Sequence, residues 1–254
     1  MKKLLPLFFI TSLLSAIIIE PTTRPLPVTN PEPKRTAAII NGGFETGDLT
    51  GWTFTGETQN SFNSRVLGGE FTEAADWANG FNFFTPESME GNYSFFSGFD
   101  GPVQEITLSQ SIGIIDEYTS AVSFDVRAGW DLDTFSANST DVINNGGVVL
   151  DREIKVVITD NNTQEVLVSQ SLFNAIGGEK ILDSGFQTVG INFQNIVGSD
   201  VTMSFVQNIP QAYTGPALIQ LDNIQLQQTF IPEPGTYALL IGFIVFIYIA
   251  IKRR

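Results

Sequence analysis

The stretch NGGFETGDLTGW, residues 41–52, opens the part of the chain that decides the fold. Asp48 within it is interpreted as a turn residue and Trp52 as a core residue. From Ala37 onward, short apolar runs alternate with turns rich in Gly, Asn and Asp. This alternation is typical of an all-β sandwich or barrel and predicts one β domain over residues 37–229.

Several runs in this region alternate with a period of two, as expected for strands with one buried face. Val122, Phe124 and Val126 share such a face. The last run keeps its apolar residues on one face only if a bulge shifts its phase at Asp222-Asn223. A hairpin turn is predicted at residues 160–162. The predicted strands are residues 37–40, 51–55, 65–67, 93–96, 103–112, 119–128, 147–159, 165–173, 187–194, 201–207 and 217–228.

The order of motifs resembles that of the galactose-binding-like jelly rolls, the fold of many carbohydrate-binding modules. The stretch 41–52 resembles the N-terminal signature of that family. Further similarities lie at residues 91–94, 108–112, 118–126 and 221–224. The resemblance implies a jelly-roll β-sandwich that spans nearly the whole domain.

Glu45 and Asp222 are candidate metal ligands. In a jelly roll the first and last strands are neighbours, so these carboxylates are expected to meet near one edge of the sandwich. Two such groups repel each other unless one takes a proton or a cation lies between them. Ca²⁺ prefers oxygen ligands, and carbonyls near Asn41 and Gly43 would complete its shell. The resemblance implies a structural Ca²⁺ here; in the alternative interpretation, both carboxylates cap turns or accept backbone N–H bonds.

Candidate ligand-binding residues lie in two stretches. Trp77 lies in an aromatic, Gly- and Asn-interrupted segment, and Trp130, Asp131 and Asp133 follow a predicted strand as a loop. Aromatic faces suit sugar rings, and carboxylates hydrogen-bond to hydroxyl groups. In the alternative interpretation the aromatic side chains belong to the core. Asp131 and Asp133 could also be a catalytic pair, but nothing in the sequence places them across a cleft.

Composition excludes several function classes. The 254-residue chain contains neither Cys nor His, which removes disulfide scaffolds, Ser-His-Asp catalysis and His-ligated zinc. Its net charge is −14. The region 37–231 has 24 acidic and five basic residues, a net charge of −19. Such a surface repels nucleic acid, so no nucleic-acid partner is expected.

The N-terminal region predicts export. Residues 1–19 combine a basic start with an apolar run, as in a signal peptide. No clean cleavage site follows, so an uncleaved N-terminal anchor stays an alternative. Residues 20–36 contain five of the twelve prolines and are predicted to form an extended linker.

The C-terminal tail, residues 232–254, begins with Pro232, Glu233 and Pro234. A 17-residue run, 235–251, then reaches the short end of the length that spans a bilayer. The chain ends in a basic cluster that includes Arg253 and Arg254. The tail resembles the PEP-CTERM sorting signal, which implies recognition by an exosortase, passage through the inner membrane, and delivery to a bacterial cell surface or extracellular matrix. A plain membrane anchor is the alternative.

Three functions are compatible with these features. The main hypothesis is a non-enzymatic surface or matrix protein associated with exopolysaccharide or biofilm. The second is a specific carbohydrate-binding module, which requires an exposed aromatic platform such as Trp77 or Trp130. The third is a glycan-active enzyme, which requires two carboxylates facing each other across a cleft. The fold alone cannot distinguish the last two.

Overall fold

The computed structural model of the chain describes residues 36–56, 65–68, 78, 80–99, 101–228, 243–244 and 251–252, without the side chains of 65–68 and Phe99. The chain divides into two units, Met1–Lys34 and Arg35–Arg254, and every described residue belongs to the second. The predicted signal segment, nearly all of the linker, Trp77 and the Pro-Glu-Pro motif lie outside the described residues. Within the described ranges, no helix has the length and apolar character needed to cross a membrane.

The described part of the domain is built almost entirely of strands. A five-residue helix, α1 (Thr140–Asn144), and two short 3-10 turns interrupt them. The strands are β1 (Thr53–Thr55), β2 (Arg65–Gly68), β3 (Tyr93–Phe99), β4 (Gln104–Ile114), β5 (Thr119–Asp131), β6 (Arg152–Asp160), β7 (Val166–Ala175), β8 (Lys180–Ile181), β9 (Gln187–Asn192), β10 (Asp200–Ile209) and β11 (Ala217–Gln228).

Two antiparallel sheets form the sandwich. One has the order β1-β4-β10-β6-β7, and the other has the order β2-β3-β11-β5-β8, with β9 also paired to β5. Eight of these strands form the orders β3-β11-β5-β9 in one sheet and β4-β10-β6-β7 in the other, and the chain changes sheet after each of them except between β6 and β7. This double Greek-key order is that of a jelly roll. The predicted all-β jelly-roll sandwich is therefore confirmed.

The core lies between the sheets because each long strand turns one apolar face inward. In β6, alternate residues from Arg152 to Asp160 are buried while those between them are half-buried. Phe124 on β5 meets Phe205 on β10 edge to face, with ring centroids 4.9 Å apart. Edge-to-face pairs of this kind add to the stabilisation that burial alone provides.

The stretch 41–52 is fastened to the sandwich by an aromatic side chain and a glutamine. Phe44, at φ 56°, is fully buried, and its ring centroid lies 5.7 Å from that of Trp52. Gln110 on β4 accepts a hydrogen bond from the Ile40 amide at 2.7 Å and donates to the carbonyls of Ile40 and Gly51 at 2.9 Å. The Gln110 side chain thus hydrogen-bonds to the backbone on both sides of the stretch, at Ile40 and at Gly51.

Most of the predicted strands are confirmed, with shifted ends. The bulge predicted at Asp222-Asn223 is present, with Asn223 at φ 52° and a shift in the β11–β5 register. The turn after β6 is also confirmed. The Asp160 carboxylate accepts hydrogen bonds there from the amides of Asn162 and Thr163.

Other predictions about local structure are wrong. The predicted strand 147–159 begins only at Arg152, because residue 147 belongs to the turn after α1 and residues 148–151 have no regular structure. The Leu150 amide there donates to Gln211 Oε1 at 2.6 Å. The predicted loop at residues 130–133 is wrong at its start, since β5 continues through Trp130 and Asp131. Residues 37–40 form no strand, although the Ala37 amide bonds to the Ile114 carbonyl.

The two outer faces of the sandwich differ. The outer face of the six-stranded sheet is partly covered, because residues around Phe83 and Phe84 pack there with Phe96 and Leu218. Arg127 on this face lies 4.0 Å from the Phe84 ring centroid and pairs with Asp183. On the five-stranded sheet, the outward residues of β4, β10 and β6 are half-buried or exposed, apart from Val206, which is 5% exposed. A ligand can therefore reach the strands on this second face.

Candidate functional site

The outer face of the five-stranded sheet carries rows of small side chains that cross the strands. The strand registers place Thr107, Val206, Lys155 and Ser171 in one row. The next row runs from Thr53 on β1 to Ser169 on β7 and consists, in order, of Thr53, Ser109, Ser204, Val157 and Ser169. Strands that lie far apart in sequence therefore build one surface rich in hydroxyl groups.

A depression of about 320 Å³ lies in this face. Its floor belongs to β4, β10 and β6, and β7 forms one side. Among the described residues of its lining, Glu105 is the one acidic side chain and Lys155 the one basic side chain. The other described lining residues are Thr107, Val157, Thr159, Val166, Ser169, Ser204 and Val206. None of these side chains is aromatic, so they would hold a ligand by hydrogen bonds and close contact rather than by ring stacking.

The polar groups of the depression have capacity left for a ligand. Within the described part of the chain, the hydroxyls of Thr107, Thr159, Ser169 and Ser204 are not used in hydrogen bonds to other residues. The Lys155 ammonium lies 3.8 Å from a Glu153 carboxylate oxygen, which is a loose pair. Hydroxyl groups both donate and accept, and an ammonium donates three bonds. The surface can therefore bind a ligand rich in hydroxyl groups.

One end of this face is closed by an amide network. The Asn161 side chain donates to Asp200 at 2.8 Å and accepts from the Thr202 hydroxyl at 2.7 Å. It also reaches the Ser111 hydroxyl at 3.3 Å. Because these groups satisfy one another, we assign them to holding the β6–β7 turn rather than to binding.

The side chains of the two predicted metal ligands both lie close to Gly43. A Cβ atom on Gly43 would be 3.7 Å from Glu45 Cγ and 3.8 Å from Asp222 Oδ1, and 3.2 Å from Glu90 Oε2. Glu45 is exposed, and its Oε1 accepts bonds from the amides of Asn92 and Tyr93, both at 2.9 Å. The absence of a Cβ at Gly43 leaves space among three acidic side chains.

Asp222 is fully buried on β11. Its Oδ2 accepts bonds from the amides of Met89 and Glu90 at 2.9 and 3.0 Å, and its Oδ1 accepts from the Asn223 amide at 2.7 Å. Burial, together with the nearby Glu90 carboxylate, raises the pKa of Asp222 to about 6 against the lowering effect of these bonds. The position thus has a negative charge that the described residues do not neutralise.

These residues fit a cation only with help from the backbone. No group of three or more metal-ligating side chains among the described residues is close enough to hold a metal ion. The Asn41 carbonyl already accepts bonds from the Phe44 amide and the Trp52 indole. Both carboxylates accept backbone N–H bonds, as in the alternative interpretation of the sequence. A cation would need carboxylate oxygens of Glu45 and Asp222 together with nearby carbonyls. The predicted Ca²⁺ stays a prediction.

The predicted ligand residues at the end of β5 are not gathered on a surface. Trp130 is 4% exposed and packs in the core with its ring centroid 6.2 Å from that of Phe173. Asp131 is fully buried, pairs with Lys180 and accepts a bond from the Thr134 amide at 2.8 Å. Burial raises the pKa of Asp131, but the bonds from Lys180 and Thr134 outweigh it, so the pKa lies below its ordinary value. Only Asp133 is exposed.

Trp130 therefore does not supply the exposed ring that the sequence analysis required of a stacking platform. An exposed aromatic residue is found nearby instead. Phe135 is 40% exposed and meets Phe81 edge to face, with centroids 5.4 Å apart. Sequence gave no reason to prefer Phe135 over the other phenylalanines, because it lies in a turn with no periodic pattern. Trp77, in the same aromatic segment as Phe81, is outside the described residues.

No protein-family model and no curated protein sequence matches the chain. Several solved structures have a similar arrangement of strands. One is TmCBM61 in complex with β-1,4-galactotriose, which has a TM-score of 0.42 at 13% identity. The match covers 76% of this chain and 99% of that one. A non-crystalline-cellulose-specific carbohydrate-binding module, CBM28, has a TM-score of 0.42 at 13% identity over 77% of this chain and 99% of its own. An apo cyclase from Fischerella sp. has a TM-score of 0.44 at 14% identity over 76% and 97%. Binding modules and enzymes thus both occur among the similar structures, and no family is assigned to this chain.

Proposed function

We propose that the chain is a non-enzymatic, exported surface protein whose five-stranded sheet binds a polysaccharide of the extracellular matrix. The observation that carries the proposal is the open depression of about 320 Å³ in that sheet, lined by free hydroxyls. An extended saccharide presents hydroxyl groups along its length, and a sheet face with repeated Ser and Thr positions can hydrogen-bond to several of them at once.

The composition of the depression argues against catalysis on a glycan. Hydrolysis of a glycosidic bond normally needs two carboxylates about 5–10 Å apart. The described part of the lining contains one, Glu105. Asp131, which the sequence offered as a member of a catalytic pair, is buried in an ion pair with Lys180. A binding role needs neither a second carboxylate nor a proton donor.

The predicted localisation supports the same function. A PEP-CTERM-like tail and a signal-like N-terminus are expected to bring the domain across the inner membrane and to an exosortase. The acidic domain would then lie at the cell surface or in the matrix, where exopolysaccharide is abundant. A domain held at that place needs only modest affinity per site.

Affinity electrophoresis of the full-length chain in mild detergent tests the binding proposal. Gels would contain soluble β-glucan, galactan or alginate as probes. We expect at least one polysaccharide to retard the protein. Ser204→Phe places a ring in the middle of the depression and should weaken this binding at least tenfold. The matched control Gln194→Phe places the same ring on an exposed turn far from the depression in sequence and should bind like the wild type.

Equal loss in both variants, or no retardation by any probe, would contradict the proposal. Retardation that Ser204→Phe leaves unchanged would mean that a polysaccharide binds elsewhere, and the aromatic pair of Phe81 and Phe135 would then be the next candidate.

A further inference from the structure

Strand β7 is the last described strand at one edge of the five-stranded sheet. Its ten residues, VLVSQSLFNA, pair with β6, and no other described strand lies on their far side. The opposite edge, β1, is only three residues long. An edge strand presents a row of backbone N–H and C=O groups that another strand can pair with.

The β7 edge lacks most features that protect edge strands. Natural edges are commonly protected by charged side chains, prolines or bulges. β7 contains no charged residue, no Pro and no Gly. Its register with β6 shifts at two points, but the four residues from Val168 to Ser171 pair regularly between them. Val166 at its start is 55% exposed.

The charge of the domain restricts where two copies of the chain can meet, and the uncharged β7 edge is where it opposes their contact least. The region 37–231 has 24 acidic residues against five basic ones, so most approaches between two copies bring carboxylates together. Two β7 edges can meet without placing any charged β7 side chain opposite another. A strand that pairs antiparallel with its own copy is also self-complementary around a two-fold axis, the commonest symmetry of soluble oligomers.

We propose that two copies of the chain pair antiparallel through β7 and join their five-stranded sheets into one ten-stranded sheet. The two-fold axis of such a pair is perpendicular to the sheet, so both outer faces lie on the same side. Val166 and Ser169 of β7 line each depression, which brings the two depressions next to each other across the junction. The pairing does not depend on saccharide binding. Its consequence, one binding surface that holds a polysaccharide at two places, rests on the proposed function.

Sedimentation velocity of the full-length chain in mild detergent, without saccharide, tests the pairing. We expect a monomer–dimer equilibrium. Gln170→Glu is nearly isosteric, exposed, and puts two like charges close together across the junction, so it should weaken dimerisation about tenfold. Thr53→Glu adds the same charge at the opposite edge of the same sheet and should leave the equilibrium unchanged.

Cross-linking tests the geometry, because the chain contains no natural cysteine. Ser171→Cys should give a covalent dimer with a bis-maleimide of about 10 Å span. In the proposed dimer the two copies of residue 53 would lie about 40 Å apart, at about 4.8 Å per strand, so Thr53→Cys should not cross-link.

A monomer at all concentrations up to about 100 μM would overturn the proposal. So would equal cross-linking of the two cysteine variants, or a dimer that Gln170→Glu does not weaken. None of these measurements involves a saccharide. Failure of the pairing is therefore distinguishable from failure of the proposed function, which the Ser204→Phe comparison measures separately.

Discussion

At the scale of single residues, Asp222 carries the clearest electrostatic consequence of the fold. The β11 bulge turns this carboxylate toward the amides of Met89 and Glu90 while the sandwich buries it completely. Burial and the Glu90 charge raise its pKa to about 6, well above the ordinary value of 3.8. The folded state therefore binds a proton at this site more tightly than the unfolded chain does.

This raised pKa predicts that protein stability falls as pH rises from about 4 to about 6. Below pH 4, Asp222 is protonated in both states, and above pH 6 it is ionised in both. Between these values unfolding releases a proton, so the free energy of unfolding decreases with pH. One pKa unit corresponds to about 1.4 kcal/mol, so the total is at most about 3 kcal/mol. Urea unfolding of the full chain between pH 4 and 7 measures it.

Asp222→Asn should remove this slope, whereas Asp133→Asn, at an exposed site, should keep it. Asp183, whose pKa is lowered by its bond with Arg127, loses its contribution only as pH falls below about 4, outside this window. A slope that survives Asp222→Asn would show that another group causes it.

The same residue decides the calcium prediction. Ca²⁺ bound between Glu45 and Asp222 would neutralise the buried charge and add about 2.7 kcal/mol at a concentration 100 times its Kd. We expect millimolar Ca²⁺ to raise the Tm of the EDTA-treated chain, and Glu45→Gln and Asp222→Asn each to abolish the rise. A Tm that Ca²⁺ does not change would refute the prediction.

At the scale of elements, the stretch 41–52 depends on Gln110. Three hydrogen bonds from this one buried side chain hold the backbone at Ile40 and Gly51. The family resemblance includes both the stretch 41–52 and the strand that contains Gln110. The hydrogen bonds between them could not be predicted from the sequence, because they depend on the position of β4 beside the stretch. The bulge at Asp222-Asn223 was predictable because the apolar phase changes there. Helix α1 was not, since five residues have too little periodicity to reveal a helix.

Gln110→Ala should destabilise the chain by about 2–3 kcal/mol, because it leaves the Ile40 amide and two carbonyls without partners. Ser109→Ala, on the adjacent outward position of the same strand, should cost less than about 1 kcal/mol. The difference is measurable in urea unfolding. Equal effects of the two substitutions would mean that the stretch is held mainly by Phe44 and Trp52.

At the scale of the whole molecule, the sequence predicted the jelly-roll sandwich but not the location of its open face. The alternation of apolar and polar residues predicted the strands, and the order of motifs predicted the jelly-roll topology. The depression is built from Thr, Ser and Val, which are ordinary strand residues, so nothing in the sequence marks them. Only the registers of β4, β10 and β6 bring Thr107, Ser204 and Val157 together. Of the two tryptophans predicted as a sugar platform, Trp130 is buried in the core and Trp77 lies outside the described residues.

The predicted sorting tail has a built-in control. The chain contains Pro-Glu-Pro twice, at residues 31–33 and 232–234. In a bacterium that makes an exosortase, alanine substitution of residues 232–234 should leave the full-length protein in the membrane fraction. The same substitution at residues 31–33 should not affect release. If both variants are released like the wild type, the tail is a plain anchor or is processed in another way.

The central claim is that the outer face of the five-stranded sheet binds saccharide, and methyl NMR of valine-labelled protein tests it most directly. Val157 and Val206 line the depression, whereas the exposed Val148 and Val197 lie outside it. On titration with an oligosaccharide from the polysaccharide that retards the protein, we predict shifts at Val157 and Val206 and none at Val148 and Val197. Shifts confined to the second pair, or none at any valine, would contradict the account.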